Sequence, residues 1–518
     1  MASRPSEPRA AADDDGLEHA LLFNFAIHGV ALLGMALLLL PMMPGGSGGA
    51  DAARITLIAQ HPWRFRLGWL PWQLCAVADL WLAVAMLRAR WLPRAGAWAV
   101  LLFTAVAVVP DQYAQLVWVT RGVELARADA AAYLRFEAET FPLTAGWGAL
   151  FYTLAALGWT YCFARAGTWS RLLGVLSVPL WSCMAVAVVS PLLPVGVRPS
   201  PSFVSTANAL GFLLLQLWLG LVCEQVLLRR RPYAAYGRLA RWRHPGSGLA
   251  AHVVEGFANG RLPRVFFGFL PCVRMRSDIT DVVYVSYLVD AERLAPLVPP
   301  GLELQRLGPQ QNHALFTFLT YQHHDFGFAF LGKARRLFPS PVQSNWRIHV
   351  RDPRSGRQGV YFVTNAISHL LPALGARLLT EGMPMHLLHR AELTQAQDGE
   401  LRVVLDPGSG SAPDARLSLR PQAAPPTWDG AWRVCWPNVQ EFLAYCVPQD
   451  RALATQPLRR RTSRQEIQLG IPLSACQPLE GSVSSRAAEA LIGRAQAICF
   501  RVAAVPFAFD GESFDPWD

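Results

Sequence analysis

Lysine is almost absent from this sequence: Lys333 is the single lysine among 518 residues, and the other 46 basic residues are arginine. Charged residues are also scarce, at 16%, where soluble globular proteins carry roughly 25%. Together with a hydrophobic content of 52%, this scarcity excludes a disordered chain and an enzyme that is water-soluble along its whole length. The arginine bias is typical of a very GC-rich, bacterial genome.

Cysteine pairs at metal-binding spacing are missing as well. The nine cysteines include no Cys-x-x-Cys pair, which argues against a disulfide framework and against a zinc site. The arginines flank apolar segments and form no recognisable nucleic-acid-binding motif. We therefore predict no metal, no cofactor and no nucleic-acid partner.

Long apolar runs are concentrated between residues 17 and 228. A membrane-spanning helix needs about 20 mainly apolar residues, and six segments meet this requirement: about 19–42, 67–88, 96–119, 141–164, 171–193 and 204–228. The sequence thus predicts an α-helical bundle of six spans over 17–228, preceded by a disordered N-terminus over 1–16. The lipid bilayer is its expected partner.

Arginine in the short loops predicts the orientation of this bundle. Arginines occur in the loops after the second and fourth segments, and the densest cluster, Arg229–Arg231 with Arg238, Arg241 and Arg243, follows the sixth. Because basic loops stay on the cytoplasmic side, we expect both termini in the cytoplasm, at the inner (plasma) membrane of a bacterium.

Two carboxylates lie inside the predicted spans. Asp79 is near the middle of the second segment, and Asp111 follows Pro110 in the third. Intramembrane carboxylates are energetically costly and face the bundle interior. We favour a structural role, in which each accepts hydrogen bonds from a neighbouring helix. The alternative is a proton or ligand site of a transporter.

The remainder of the chain has the mixed composition of a soluble fold. Residues 229–260 are predicted to be a basic linker, because arginines and aromatic residues precede the turn-forming Pro245–Gly248. From 261 to 518, short runs rich in β-branched and aromatic residues alternate with turns and one or two helices. This pattern predicts a mainly antiparallel β-barrel, of α+β class, around a cavity.

Three stretches of the soluble half resemble a known family. LAPLVPPGLEL, QSNWRIHVRDPRSGRQGVYFVTNAIS and ALGARLLTEGMPMHL, in this order and spacing, are similar to the YqjF-like family of uncharacterised bacterial proteins, which is related to acetoacetate decarboxylase. The resemblance covers about 270–510 and implies a decarboxylase-like β-barrel. The membrane half shows no comparable resemblance.

The resemblance also implies what is missing from the site. Acetoacetate decarboxylase forms a Schiff base through a lysine whose pKa a second basic group lowers. Met385 occupies the position of that lysine, and a thioether cannot form an imine. Gln343 replaces a glutamate common in the family, whereas Asn345 and Arg347 keep its Asn-x-Arg pattern. We therefore predict that this barrel lacks Schiff-base chemistry.

Other polar residues remain candidates for a ligand site. Arg347 and Arg377 are expected to clamp a small acidic ligand, since a guanidinium binds a carboxylate through two parallel hydrogen bonds. His386 and Glu381 flank the position of the lost lysine and are the candidate acid–base pair. Further possible proton carriers are His349, His369 and His389. His323, His324 and Asp325 form a cluster, but adjacent strand residues point to opposite faces and seldom bind one ion.

Three functions are compatible with these features. The first is a membrane-anchored barrel that binds a small carboxylate or carbonyl compound, as a sensor or binding module. The second is a lyase or hydratase that works without a Schiff base. The third is a transporter or channel regulated by the barrel. We rank them in this order.

Overall fold

The computed structural model describes residues 7–44, 50–190, 193–230, 241–267, 270, 274–379, 382–423, 426–448, 451–456 and 461–516. The chain divides into two compact units, Met1–Arg230 and Arg231–Asp518.

The N-terminal unit is helical throughout its described part. Its helices are α1 (Glu7–Gly34), α2 (Asp51–Gln60), α3 (Pro62–Arg88), α4 (Arg94–Val117), α5 (Val123–Ala128), α6 (Ala130–Phe141), α7 (Ala149–Arg165), α8 (Arg171–Val189) and α9 (Pro201–Arg230). Wider π-helical turns, Met35–Leu39, Trp118–Gly122 and Pro142–Gly148, extend three of the long helices. Helix α1 begins inside the stretch predicted to be disordered.

Six helical stretches are long and apolar enough to cross a membrane, which confirms the predicted number. They are Gly16–Met42, Pro62–Arg88, Arg94–Ala128, Ala130–Arg165, Arg171–Val189 and Ser202–Val226. Many of their large apolar side chains are exposed in the isolated chain, including Val109, Val175 and Leu213. Such a surface is expected where lipid tails are the solvent.

A buried ion pair joins the short helices of this unit. The guanidinium of Arg54 on α2 donates to both carboxylate oxygens of Glu137 on α6, and both side chains are buried. Apolar residues around them, among them Ile58 and Tyr133, form one cluster with α3. The short helices α2 and α6 are thereby packed together.

The described residues of the C-terminal unit form thirteen strands: β1 (Met275–Asp290), β2 (Glu303–Leu304), β3 (His313–Phe328), β4 (Val342–Arg351), β5 (Gln358–Ile367), β6 (Met385–Leu387), β7 (Arg390–Gln395), β8 (Leu401–Asp406), β9 (Ala415–Pro421), β10 (Arg451–Gln456), β11 (Arg461–Gln468), β12 (Gln477–Ser484) and β13 (Ala497–Pro516). Its described helices are α10 (Leu249–Asn259), α11 (Arg261–Phe267), α12 (Ala291–Leu294), α13 (Leu370–Leu379), α14 (Gly430–Cys435), α15 (Val439–Cys446) and α16 (Arg486–Ile492).

Seven of these strands close into a barrel. Their order is β1-β3-β4-β5-β10-β11-β13, and β13 pairs back with β1. All these pairings are antiparallel except β5–β10, where Gly359 permits the close approach because an added Cβ would lie 2.9 Å from the Arg451 carbonyl oxygen. The predicted mainly antiparallel barrel is confirmed.

The two faces of the barrel wall have different neighbours. On the outer face, a large apolar core packs β1, β3 and β4 against β8, β9 and β12. On the inner face, Val360 and Phe362 of β5 pack with Phe507 and Phe509 of β13. Ala452 of β10 and Ile467 of β11, the strands that lie between β5 and β13 in the ring, belong to the same cluster. We use "inner face" for this side.

Part of the predicted linker belongs to the folded C-terminal unit. The indole of Trp242 is fully buried, and the side chain of Asn259 on α10 bonds both the backbone N–H and the carbonyl of Trp242. Ser411 accepts from the backbone N–H of Arg243. These contacts anchor residues 242–259 to the C-terminal unit, whereas the sequence pattern predicted a linker over the whole of 229–260.

Candidate functional site

The candidate site is the inner face of β4. Nine of the ten residues of β4, Val342–Val350, are buried, because both faces of the strand are covered. Alternation along the strand places Gln343, Asn345, Arg347 and His349 on one side. Arg347 pairs with Phe362 of β5, an inner-face residue, so the whole polar series faces the barrel interior.

A β-bulge sets which residues of β5 join this series. Asn345 pairs with Asn365 and Arg347 with Phe362, because the register shifts between Trp346 and Arg347. The extra residue lets both Asn365 and Phe362 face inward. Bulges of this kind are common beside functional sites, where they redirect a side chain.

A chain of hydrogen bonds links five polar side chains of the interior. His323 bonds Ser277 Oγ through Nδ1 at 2.8 Å and Gln343 Oε1 through Nε2 at 3.0 Å. Gln343 donates to Asn345 Oδ1 at 2.8 Å, and Asn345 donates to the Tyr321 hydroxyl at 2.9 Å. Since the phenol oxygen accepts here, its own proton remains available to a ligand.

Burial keeps the two interior histidines neutral. It lowers the pKa of His323 to about 4. Burial, assisted by the charge of Arg347, lowers the pKa of His349 to about 3. The His349 ring stacks on Tyr445, with centroids 4.4 Å apart, and its Nε2 has no hydrogen-bond partner among the described residues. His349 therefore presents a neutral imidazole to the interior.

Arg347 is a fully buried cation. Its Nη2 donates to the carbonyl oxygen of Cys446 at 2.6 Å, an orphan carbonyl at the C-terminus of α15, and its guanidinium lies 5.7 Å from the ring centroid of Tyr284. The Nε and Nη1 groups lack a hydrogen-bond partner in the described part of the chain. No acidic side chain of that part forms an ion pair with Arg347.

Met385, which the family resemblance aligns with the Schiff-base lysine, is in register with the polar series. It pairs with Asn365, which pairs with Asn345, so one row crosses β4, β5 and β6. Met385 is buried among apolar residues that include Trp242 and Ile367. Lys333 is exposed on the short helix Ala329–Leu337, so the single amine side chain of the sequence is not buried in the barrel interior.

Several predicted site residues have other partners. Arg377 on α13 donates to the carbonyl of Ala258 and to Asn259 Oδ1, so it ties α13 to α10, and no contact brings it to Arg347. His386 is adjacent to Met385 on β6 and therefore points to the opposite face, where its Nδ1 bonds Ser411 Oγ at 2.7 Å. Glu381 lies outside the described residues. His369 and His389 are exposed.

Asp79 and Asp111, the two carboxylates within the apolar helices, have separate sets of hydrogen-bond donors. Asn24 on α1 donates to Asp79 on α3 at 2.6 Å. Asp111 on α4 accepts from Gln112, Gln115, Thr144 and Tyr152. Thr144 comes from the π-helical turn before α7, where Gly148 permits close packing, since an added Cβ would lie 3.1 Å from Asp111 Cβ. These contacts fit the structural role that we favoured.

The histidine pair at 323–324 is divided between two faces. His323 is buried inside the barrel, while the Nε2 of the exposed His324 bonds Thr280 Oγ1 at 3.0 Å. Among the described residues, no three His, Cys, Asp or Glu side chains are grouped closely enough to hold a metal ion.

Sequence reasoning missed part of this interior. Tyr321, Asn365 and Gln465 were not singled out, although Asn365 lies within a stretch that carries the family resemblance. Their common signal is a polar residue at an alternate position of a buried strand. That signal becomes readable only once the strand register is known.

Comparisons with known proteins support the resemblance of the C-terminal half. The model of the DUF2071 family, described as an uncharacterized conserved protein (COG2071), matches residues 276–432. This match confirms the YqjF-like resemblance, and the N-terminal half stays unrecognised. No protein with a curated description matches the chain.

Two kinds of solved structure are similar to this chain. The enduracididine biosynthesis enzyme MppR complexed with pyruvate is 15% identical, with a TM-score of 0.33, over 48% of this chain and 91% of that chain. An acetoacetate decarboxylase-like enzyme from Sphingomonas wittichii RW1 is 11% identical, with a TM-score of 0.32, over 47% and 94%. The barrel of this chain is established by its own strand pairing.

Proposed function

We propose that this protein is a membrane-anchored binding protein whose barrel holds a small carboxylate at Arg347, without Schiff-base chemistry. The observation that carries the proposal is the buried guanidinium of Arg347, with two N–H groups that no described side chain satisfies. An unpaired buried charge is costly. A bound carboxylate would supply both the countercharge and the missing acceptors.

The surroundings of Arg347 favour a ligand over an internal ion pair. The neighbouring groups on β4, Asn345 and His349, are uncharged, because His349 has a pKa of about 3. A carboxylate near Arg347 therefore meets one cation and no fixed anion among the inner-face residues of β4. With Met385 at the lysine position, the ligand binds noncovalently.

An alternative function is a lyase or hydratase that uses Tyr321 as a proton donor. Burial raises the pKa of Tyr321, so its hydroxyl keeps its proton at neutral pH, and Asn345 leaves that proton free to donate. Consumption of the bound carboxylate, lost in Tyr321→Phe, would favour this alternative. Binding without turnover favours the first proposal.

Membrane anchoring is the second part of the proposal. The six apolar helices support it, and the arginine cluster after the sixth span favours a cytoplasmic barrel. Labelling of an introduced cysteine at exposed Ser355 in intact cells and in inverted vesicles tests the orientation. Labelling in intact cells would contradict it.

The binding experiment uses the full chain in lipid nanodiscs. Thermal unfolding is followed with a panel of small carboxylates; a ligand at 100 times its Kd adds about 2.7 kcal/mol. We expect the shift in the wild type and in Arg351→Met, which removes a half-exposed arginine from the same strand. Arg347→Met should abolish it. An equal shift in Arg347→Met would overturn the assignment.

Covalent chemistry is checked separately. Borohydride reduction in the presence of a β-keto acid traps a lysine imine as a stable adduct. We expect no adduct in the barrel, as judged by peptide mass. A trapped adduct on Lys333 that depends on Arg347 would contradict the noncovalent mode.

A further inference from the structure

Two carboxamides inside the barrel have no hydrogen-bond partner in the described part of the chain. Asn365 on β5 and Gln465 on β11 are 0% and 1% exposed, and neither the oxygen nor the nitrogen of either amide has a partner among the described residues. The hydroxyl of Ser463, two residues from Gln465, is buried and likewise has no partner in the described ranges. Buried polar groups are bonded in more than about 90% of cases, so this grouping is unusual.

Strand register places both amides on the face that carries Arg347. Asn365 is directly opposite Asn345. Gln465 belongs to a continuous row with His349, Val360 and Ala452 across β4, β5, β10 and β11. Neighbouring strands are about 4.8 Å apart, so Asn365 is one strand from Arg347, while Gln465 lies three strands away in the ring. All three side chains therefore face the same barrel interior.

The cost of these groups is a physical argument for a ligand. Each unsatisfied buried donor or acceptor destabilises the folded state, because it has lost its hydrogen bonds to water without replacement. Apolar residues fill two other positions of the Gln465 row, Val360 and Ala452, so carboxamides are not needed to close the barrel. The presence of these two carboxamides is explained if they hydrogen-bond a ligand.

The chemistry of the interior restricts the second group of that ligand. Each carboxamide offers two donors and one acceptor oxygen, and is neutral. Glu512 follows Gln465 in the row and accepts from Gln456, so a second anion near Gln465 would meet a carboxylate. The second group is therefore neutral, and it both donates and accepts hydrogen bonds.

Building on the proposed carboxylate site, we infer that the ligand is a monocarboxylate bearing a neutral amide-like group, read by Asn365 and Gln465. Arg347 binds the carboxylate end. The two carboxamides form reciprocal hydrogen bonds with the other end.

Three probes of matched size test this inference on the full chain in nanodiscs, by calorimetry or thermal shift. Succinamate carries the amide, 4-methylpentanoate replaces it with an apolar group of the same shape, and succinate replaces it with a second anion. A site built to hydrogen-bond a group strongly rejects the analogue that lacks it. We expect succinamate to bind at least about 10-fold more tightly than either analogue.

Variants separate the two ends of the ligand. Asn365→Leu with Gln465→Leu should reduce the preference for succinamate over 4-methylpentanoate to about one, while Arg347-dependent binding of both remains. Gln468→Leu, an exposed glutamine on the same strand, is the matched control and should keep the preference.

The outcomes are distinct. Equal affinity of the wild type for succinamate and 4-methylpentanoate would overturn the inference, and this result does not depend on whether the double variant folds. A preference for succinamate that survives the double substitution would also overturn it. Absence of binding by all three carboxylates would overturn the carboxylate site itself.

Discussion

Arg347→Met should leave the unliganded protein almost as stable as the wild type. The substitution relieves two buried N–H groups without partners, each worth about 1–3 kcal/mol. It loses the charged hydrogen bond to Cys446, about 1.5–3 kcal/mol, and the contact with Tyr284, about 1–2 kcal/mol. Because these terms nearly cancel, we expect a change in the free energy of unfolding within about 1 kcal/mol.

The size of this change separates a ligand-binding arginine from a structural one. Breaking a satisfied buried ion pair costs about 3–5 kcal/mol. Chemical denaturation of the full chain in detergent, followed through the signal of the β-rich unit, measures the difference. Arg347→Ala serves as a control, since it removes the same charge but leaves a cavity that costs a further few kcal/mol, about 2–5. A loss above about 3 kcal/mol in Arg347→Met would refute the reasoning.

Three other predictions concern buried polar groups. The folded-state pKa of His349, about 3, lies below the usual 6.5, so the stability that the neutral imidazole contributes is complete above pH 6.5 and declines as the pH falls. His349→Phe should therefore reduce the loss of unfolding free energy between pH 7 and 5 by about 2 kcal/mol. An unchanged dependence of the unfolding free energy on pH would contradict this. Asp111→Leu leaves Gln115 and other donors without their acceptor and should lower the Tm in detergent more than Asp111→Asn does; equal Tm values would contradict the hydrogen-bond network. Glu137→Ala leaves the buried guanidinium of Arg54 with only the exposed carboxylate of Asp51 and should lower the free energy of unfolding by up to about 3–5 kcal/mol, partly recovered in Arg54→Met with Glu137→Leu. A Glu137→Ala variant with the wild-type Tm would contradict this contribution of the ion pair.

The six apolar helices were predictable because the evidence for them is local. Six apolar stretches can be counted in the sequence, and only helices satisfy their own backbone within one segment in lipid. The hydrogen-bond partners of Asp79 and Asp111 were not predictable, because Asn24 and Thr144 come from other helices. Contacts between helices depend on their rotation and depth.

The candidate site was predictable only in part. The family resemblance pointed to Gln343, Asn345 and Arg347, and alternation along β4 places these three residues on one face of the strand. The predicted clamp of Arg347 with Arg377 joins residues from different elements, and the structure gives Arg377 its own partners on α10. Likewise His386 is adjacent to Met385 in sequence and therefore on the opposite face, so adjacency was a poor guide to its surroundings.

The family resemblance implied that Met385 stands where a Schiff base would need lysine, whereas composition and pattern alone determined that this chain joins six apolar helices to a β-rich unit. These properties depend on residue type and on short-range periodicity. The tertiary structure decided which polar groups meet inside the barrel: the bulge at Trp346 and Arg347 brings Asn365 to the inner face, α15 supplies the Cys446 carbonyl, and β11 supplies Gln465. Strand register and helix docking are settled by packing between distant segments, so they are not written in any single stretch of the sequence.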